Sequence, residues 1–429
     1  MENKQKKTKI DWALVVLGIL VIAVFIVSIY SDGKAKLREA KRVSFISEIE
    51  IPEVPDITTD RKTGVITAEE WKAYYPEIYA SHALNANNVG SKDGVRHQYP
   101  EDNPQIQTLY DGMAFSFAYD EAIGHNATLE DIANTKRPHK LANCLTCKTP
   151  DLTALVNSQG KAVYAQAFED VYAQVEEPVS CYNCHANTPG PVVIVSDYMK
   201  TAMGKEIDNK NVDAVNVACA QCHIEYYFDP ATKATTAPYT SLANMNPDDI
   251  LAFYNEIGFS DYTNKNTGVG QIKVQHPEFE TYMGEGSVHK GQYNCADCHM
   301  GIEYDKDGNP YVDHEFTSPL DNEVLLKNNC SMCHVDLKAK VEVIQKYTTE
   351  YENKVADMLV EVNKKLATAL EAGTIDEETA SQVKQLDRDA QFYWDFVYVE
   401  NSEGAHNSAL DKQCLQKAED LAKQALALL

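Results

Sequence analysis

Five times in this chain two cysteines stand three positions apart: Cys144/Cys147, Cys181/Cys184, Cys219/Cys222, Cys295/Cys298 and Cys330/Cys333. Four of these pairs are followed at once by a histidine, namely His185, His223, His299 and His334. Cys-x-x-Cys-His is the attachment signature of c-type haem. Two thiols add to the porphyrin vinyl groups and the next residue reaches the iron. Zinc ribbons also join Cys-x-x-Cys units, into a tetrahedron, but they would leave four appended histidines without a role. The fifth motif, NCLTCKTPD, has Lys148 where the others have histidine. Five covalent haems would supply much of the apolar interior. The chain is therefore expected to be a mainly α multihaem cytochrome c fold, with helices and loops wrapped around them.

A six-coordinate electron-transfer haem needs two axial ligands, whereas a catalytic haem leaves one position open. The chain has 12 histidines. After the four proximal ones, His82, His97, His125, His139, His276, His289, His314 and His406 remain. Four bis-histidine haems take four of these. The remaining haem then has Lys148 below and nothing obliged to sit above. Lysine binds iron only as the neutral amine, a sigma donor without an imidazole ring. A haem so ligated differs electronically from its neighbours and is the natural place for a substrate. A passive electron conduit would instead need every iron six-coordinate.

The net charge of -25 excludes nucleic acid as a natural partner. It also poses a problem for any anionic substrate unless some local funnel is positive. Residues 12–30 carry no charge, long enough to span a bilayer as one helix. Lysines precede the run and no small-residue cleavage site follows it. Residues 1–30 are expected to be an uncleaved anchor, and 31–65 a tether. Covalent c-type haem is attached on the extracytoplasmic side, so the body should face outward. From 66 to 334 short helical patches alternate with Gly, Asn, Asp and Pro turns, as expected of the haem-binding catalytic region. From 335 to 429 the texture becomes long amphipathic helices. Gly373 stops the first, over 336–372. Thr374 with Glu377 spells a capping box for the second, which ends near Glu400, and a third runs from about 408 to 429. Such helices suit a dimer interface or a cover for the haem core. Cys414, unpaired, is expected to be a small buried apolar residue.

One Cys-x-x-Cys-Lys site followed by four Cys-x-x-Cys-His sites resembles the pentahaem cytochrome c nitrite reductases, the ammonium-forming enzymes. The blocks CAQCHIEYYF (219–228), KVQHPEFET (273–281), GSVHKGQYNCADCHM (286–300) and DHEFTSPLDN (313–322) extend the likeness over roughly residues 70–429. The resemblance implies catalytic roles for Lys148, Tyr226, His276 and Arg137, with Lys136 the neighbour that could be mistaken for the arginine. It implies a calcium ion held by the Glu225 carboxylate, the Tyr226 and Lys273 carbonyls and the Gln275 side-chain oxygen, an all-oxygen set that suits Ca2+. The cation and Arg137 would make the pocket locally positive. His314, His125, His406 and His289 become distal ligands of the second, third, fourth and fifth haems. His82, His97 and His139 are left as spare surface residues. The implied reaction takes nitrite to ammonium with six electrons, drawn from a quinol-oxidising membrane cytochrome by a membrane-anchored homodimer.

Overall fold

The computed structural model describes residues 54–88, 94–138 and 140–429. The expected anchor, the expected tether up to residue 53, and His139 lie outside the described residues. Among the described residues no helix is long and apolar enough to cross a membrane. The end of the expected tether is not loose. Val65 is fully buried, and the Asp151 carboxylate accepts from Arg61 Nη2 at 2.8 Å and Thr63 Oγ1 at 2.5 Å. These bonds to a buried carboxylate bind residues 61–65 to the body.

The fold is mainly helical. The body up to residue 334 carries only short helices, the more regular being α1 (Pro76–Leu84), α2 (Pro150–Gln159), α3 (Asp197–Asp208) and α4 (Pro247–Glu256). Three antiparallel hairpins of two or three residues per strand punctuate it: β1–β2 (Tyr227–Phe228 with Thr235–Thr236), β3–β4 (Tyr262–Thr263 with Gly270–Gln271) and β5–β6 (Ile302–Tyr304 with Pro310–Val312). Three long helices close the chain: α5 (Leu337–Ala372), α6 (Glu377–Tyr398) and α7 (Ser408–Leu428).

On α5 the buried positions Thr348, Glu352, Val355, Leu359, Val362 and Leu366 recur at alternating steps of four and three. That stripe packs against α6 and α7. α6 is buried on almost every side from Ala390 to Val397, because it runs between its two neighbours and the body. Ile106, Leu109, Tyr110, Tyr254, Ile272 and Val274 join the same core. Cys414 is buried there too.

Gly373 ends α5 in the left-handed conformation, with φ of 61°. The Thr374 amide then bonds back to the Ala369 carbonyl at 3.0 Å, closing the finished helix. α6 is capped instead by Asp376, whose carboxylate accepts from the Thr379 amide at 2.8 Å. The expected Thr374–Glu377 box therefore does not form. Its first residue is committed to the preceding C-terminus.

Candidate active site

Two segments far apart in sequence are paired like the sides of a ladder. One follows the third Cys-x-x-Cys motif and runs from His223 to Tyr226; the other runs from Lys273 to Glu280. The His276 amide donates to the Ile224 carbonyl, and the Phe279 amide to the His223 carbonyl, both at 3.2 Å. The Gln275 amide donates to Glu225 Oε2 at 2.6 Å, and the Glu225 amide to Glu280 Oε1 at 2.9 Å. α6 fixes the second segment from behind. Arg388 bonds the Gly270 and Phe259 carbonyls, Gln271 bonds Asp387, and the Val274 amide donates to Asp395 Oδ2 at 2.8 Å. Lys273 Nζ is 3.3 Å from Asp395 Oδ1 and is almost fully buried.

The Lys148 loop is tied to this ladder. Thr146 Oγ1 and Thr235 Oγ1 share a hydrogen bond of 2.7 Å, and Asn143 Nδ2 donates to the Lys233 carbonyl at 3.0 Å. The first motif is thus held on the β1–β2 hairpin that Tyr226 leads into. Burial pushes the Tyr226 phenol well above the usual tyrosine range, and the thiols of Cys147 and Cys144 close by push the same way. The His276 side chain is 41% exposed overall, yet its Nδ1 is buried. Desolvation, less than complete at this exposure, pushes the imidazole below its usual range; Glu278 pulls upward, while His223, Lys148 and Lys273 add to the depression. So Lys148, Tyr226 and His276 are brought together. Arg137 lies with its guanidinium 4.5 Å from the centre of the Phe115 ring, an aromatic shelf that Lys273 Nζ also faces at 5.8 Å. It is half-buried, whereas Lys136 is exposed.

Three of the four expected calcium ligands, Glu225, Lys273 and Gln275, also converge. Gln275 Nε2 lies 2.7 Å from the Lys273 carbonyl, and Glu225 is held by Tyr254 Oη at 2.7 Å and by the Gln275 amide. A half-turn of the Gln275 amide exchanges its nitrogen for its oxygen and presents carboxylate, carbonyl and amide oxygens together. Burial pushes Glu225 well above the usual carboxylate range. The residues present therefore fit a hard, oxygen-ligated ion. Among the described residues no three of His, Cys, Asp and Glu converge as a zinc ribbon requires.

Four pairs of histidines face each other. Ring centres are 6.4 Å apart for His185 and His314, 6.4 Å for His125 and His223, 5.9 Å for His299 and His406, and 6.1 Å for His289 and His334. Two metal–nitrogen bonds of about 2 Å on opposite sides of one metal place ring centres about 6 Å apart. The Nδ1 atoms are turned outward: His185 to the Pro191 carbonyl at 3.3 Å, His299 to the Thr317 carbonyl at 2.9 Å, His314 to the Val312 carbonyl at 2.8 Å, and His406 to Glu400 Oε1 at 2.6 Å. An imidazole held at Nδ1 presents Nε2 to a metal. These residues fit haem. His276 also lies 6.4 Å from His223, so distance alone does not separate it from His125 as a partner.

One of the ten cysteines expected to carry haem differs from the rest. Cys333 is exposed, whereas Cys144, Cys147, Cys181, Cys184, Cys219, Cys222, Cys295, Cys298 and Cys330 are all partly buried. Its motif, residues 330–334, sits at the end of the body. The short turn Cys330–Met332 is the last piece of the body before α5, and Met332 and Val335 on either side of Cys333 are exposed as well. The motif keeps its local form. The Cys333 and His334 amides both bond the Cys330 carbonyl, at 3.1 and 2.9 Å, and His334 faces His289. The chain belongs to the cytochrome c552 family.

That family matches residues 67–429. The chain is 29% identical to the cytochrome c nitrite reductase subunit NrfA of Nitratidesulfovibrio vulgaris, across 86% of this chain and 82% of that protein. Among solved structures it is similar to the cytochrome c nitrite reductase catalytic subunit of Desulfovibrio desulfuricans, with a TM-score of 0.75 and 25% identity over 84% of this chain and 85% of that one. That protein is described with two calcium sites. The relationship expected from the motifs, and the mainly α multihaem fold, agree with these findings.

The cytochrome c552 body departs from the expected surface placement of His82. Its side chain is buried, because α1 docks on the segment after β6. Ser81 Oγ accepts from the His314 amide at 3.0 Å, and Asn85 bonds the His314 carbonyl and the Phe316 amide. A Cβ on Gly124 would stand 1.8 Å from the Asn85 carbonyl, so only glycine lets the His125 loop close on this helix. His97 is one-third exposed, with Asp102 at 3.3 Å. Residues that motifs did not single out also support the site. Thr128 Oγ1 lies within bonding distance of both the His125 and Lys148 carbonyls, at 3.0 and 2.7 Å. Asp151, three positions after Lys148, anchors the start of α2. Glu278 lies between His223 and His276; only its HPE spacing hinted at it.

Proposed function

We propose that this chain reduces nitrite to ammonium at a haem ligated by Lys148, supplied with electrons by four bis-histidine haems. The reading rests on the convergence of Lys148, Tyr226 and His276 on one rigid ladder beside four facing histidine pairs. The overall change is nitrite plus eight protons and six electrons giving ammonium and two waters. Five c-type haems, held through the five cysteine pairs, would supply the electrons and the iron at which nitrite is reduced.

The chain's own groups do the rest. Arg137 offers charge and paired N–H donors to the nitrite oxygens. His276 and Tyr226 stand where they can donate hydrogen bonds and protons as oxygen leaves as water. Calcium held by Glu225, Tyr226, Lys273 and Gln275 adds positive charge, with Arg137, inside an acidic protein, which draws the anion in. Electron supply between sites is supported by contacts between motifs: the Cys147 and Cys222 thiols touch, as do those of Cys219 and Cys295. His125, His314, His406 and His289 serve as distal ligands of the third, second, fourth and fifth haems. The N-terminal apolar run anchors the enzyme beside a quinol-oxidising cytochrome, with the catalytic body outside. The outer face of α5 exposes Val343 and Tyr347 one turn apart, which favours a homodimer through the long helices.

The test is stoichiometric. Holoenzyme with its haem counted is given nitrite and a reduced viologen. One ammonium per nitrite at six electrons supports the proposal. No nitrite consumption by protein carrying five haems overturns it in favour of an electron conduit.

A further inference from the structure

Glu278 is a buried carboxylate between two imidazoles. Its Oε2 lies 3.7 Å from His223 Nδ1, and its Oε1 lies 3.9 Å from His276 Nδ1. Both contacts exceed a hydrogen bond, and a small ring rotation closes either. Neither Glu278 Oε2 nor His276 Nδ1 has another hydrogen-bond partner, and both atoms are buried. The carboxylate is clamped from the far side: Asn401 Nδ2 donates to Oε1 at 2.6 Å and the Asn401 amide at 3.4 Å. The backbone pairing of His276 with Ile224 and of Phe279 with His223 keeps the two imidazoles at a fixed spacing.

We propose that Glu278 is a shared positioning residue, orienting the His276 imidazole in the substrate pocket while also strengthening His223 as an iron ligand. The proposal rests on the haem ligation proposed above. A carboxylate that takes the Nδ1–H of a ligating histidine fixes its tautomer and raises its donor strength. Three other paired histidines, His185, His299 and His314, are backed by neutral carbonyls, whereas His223 faces the Glu278 carboxylate and His406 the Glu400 carboxylate. Stronger donation and nearby negative charge both favour the oxidised iron. The His223 haem should therefore hold a lower potential than a carbonyl-backed one. One side chain thus serves both the group that meets the substrate and the haem next to it.

The experiment uses holoenzyme carrying Glu278→Gln and, separately, Asn401→Ala, which removes the side-chain clamp but leaves the carboxylate. Midpoint potentials come from spectroelectrochemical titration, and kcat and KM from nitrite turnover with reduced viologen. In Glu278→Gln, one bis-histidine haem should move to higher potential and kcat should fall about 10- to 100-fold, with KM changing by less than about threefold. Asn401→Ala should move both quantities the same way by less. Wild-type potentials and kcat in Glu278→Gln would overturn the proposal. Should that variant fail to acquire its haems, unchanged potentials and kcat in Asn401→Ala overturn it instead. Wild-type enzyme that makes no ammonium would refute the nitrite reading, and the potential shift would still decide the role of Glu278.

Discussion

Replacing Tyr254 by phenylalanine isolates one hydroxyl. The Tyr254 ring is fully buried against Tyr227, Phe259 and Phe392, with centres 5.6, 5.2 and 6.5 Å away. Phenylalanine keeps those contacts, so the packing change is small. What is lost is the 2.7 Å hydrogen bond from the hydroxyl to Glu225 Oε1. A hydrogen bond to a charged acceptor contributes about 1.5–3 kcal/mol. At about 1.4 kcal/mol per tenfold change, that is roughly a 10- to 150-fold loss of calcium affinity. The lower end is expected, because the Gln275 amide still holds Oε2 at 2.6 Å. Chelator-treated holoenzyme titrated with calcium in a calorimeter gives the affinity. Nitrite turnover against free calcium gives the consequence, with saturating calcium restoring most of the rate. A calcium affinity within about twofold of wild type would show that this hydroxyl does not organise the ion's ligands, or that the ion binds elsewhere.

Three further outcomes follow from the same geometry. Glu352 is buried against Glu403 and Glu400 in the long-helix region, and burial, with those carboxylates, pushes it up to about 8. Its folded value lies above its unfolded one, so its contribution is fully present below about pH 4.5 and is lost as pH rises towards 8. Glu352→Gln should therefore gain stability over wild type across that window, by at most about 1.4 kcal/mol per pH unit, read by urea unfolding at pH 5 and pH 8; equal gains at both pH values would contradict this. Asp151→Ala strips acceptors from Arg61, Thr63 and the Glu176 and Glu177 amides, and should cost about 3–5 kcal/mol by denaturant unfolding. His276→Gln should lower kcat by roughly 100- to 10,000-fold while leaving the bis-histidine haem spectra unchanged; a rate within about tenfold of wild type would remove His276 from the chemistry.

The features legible in sequence are those written in adjacent residues. A Cys-x-x-Cys-His motif carries its own geometry: in Cys181–His185 and Cys295–His299 one helical turn brings both thiols and the histidine together. The stripe on α5 was readable for the same reason, since its period lies within one element. What stayed hidden depends on partners far away in the chain. Asp395 meets Val274 across 121 positions, and Asp151 meets Arg61 across 90. No local pattern marks either aspartate as structural. As a histidine without a ligand role, His82 reads as a surface residue, yet α1 turns it inward when it docks on His314 and Phe316. Thr374 misled for another reason. The box pattern was present, but Gly373 had already committed that amide to ending α5.

The position of the ladder in the chain explains why these parts are joined as they are. Glu225 and Tyr226 follow His223 within three positions, so the third motif and the residues proposed to hold calcium and meet the substrate form one stiff stretch. A cooperative unit of this kind cannot move His223 without moving Glu225 and Tyr226. The opposing segment is held by Asp395 of α6, and the strand leading into it by Arg388; both stand beside the main hydrophobic core. Core helix stability is therefore transmitted to the site through two side chains rather than through a loop. Damage to the α6 core should then appear first as lost calcium and altered haem potentials, before the fold itself gives way. Trp394, fully buried and bonded through Nε1 to the Glu352 carbonyl at 3.1 Å, is the place to look. Trp394→Phe opens a cavity beside Asp395, the next residue on α6, and removes the indole hydrogen bond, a loss of about 1–3 kcal/mol. If the ladder transmits this strain, weaker calcium binding accompanies the lower unfolding midpoint. A lower midpoint with wild-type calcium affinity would mean that α6 and the site are independent.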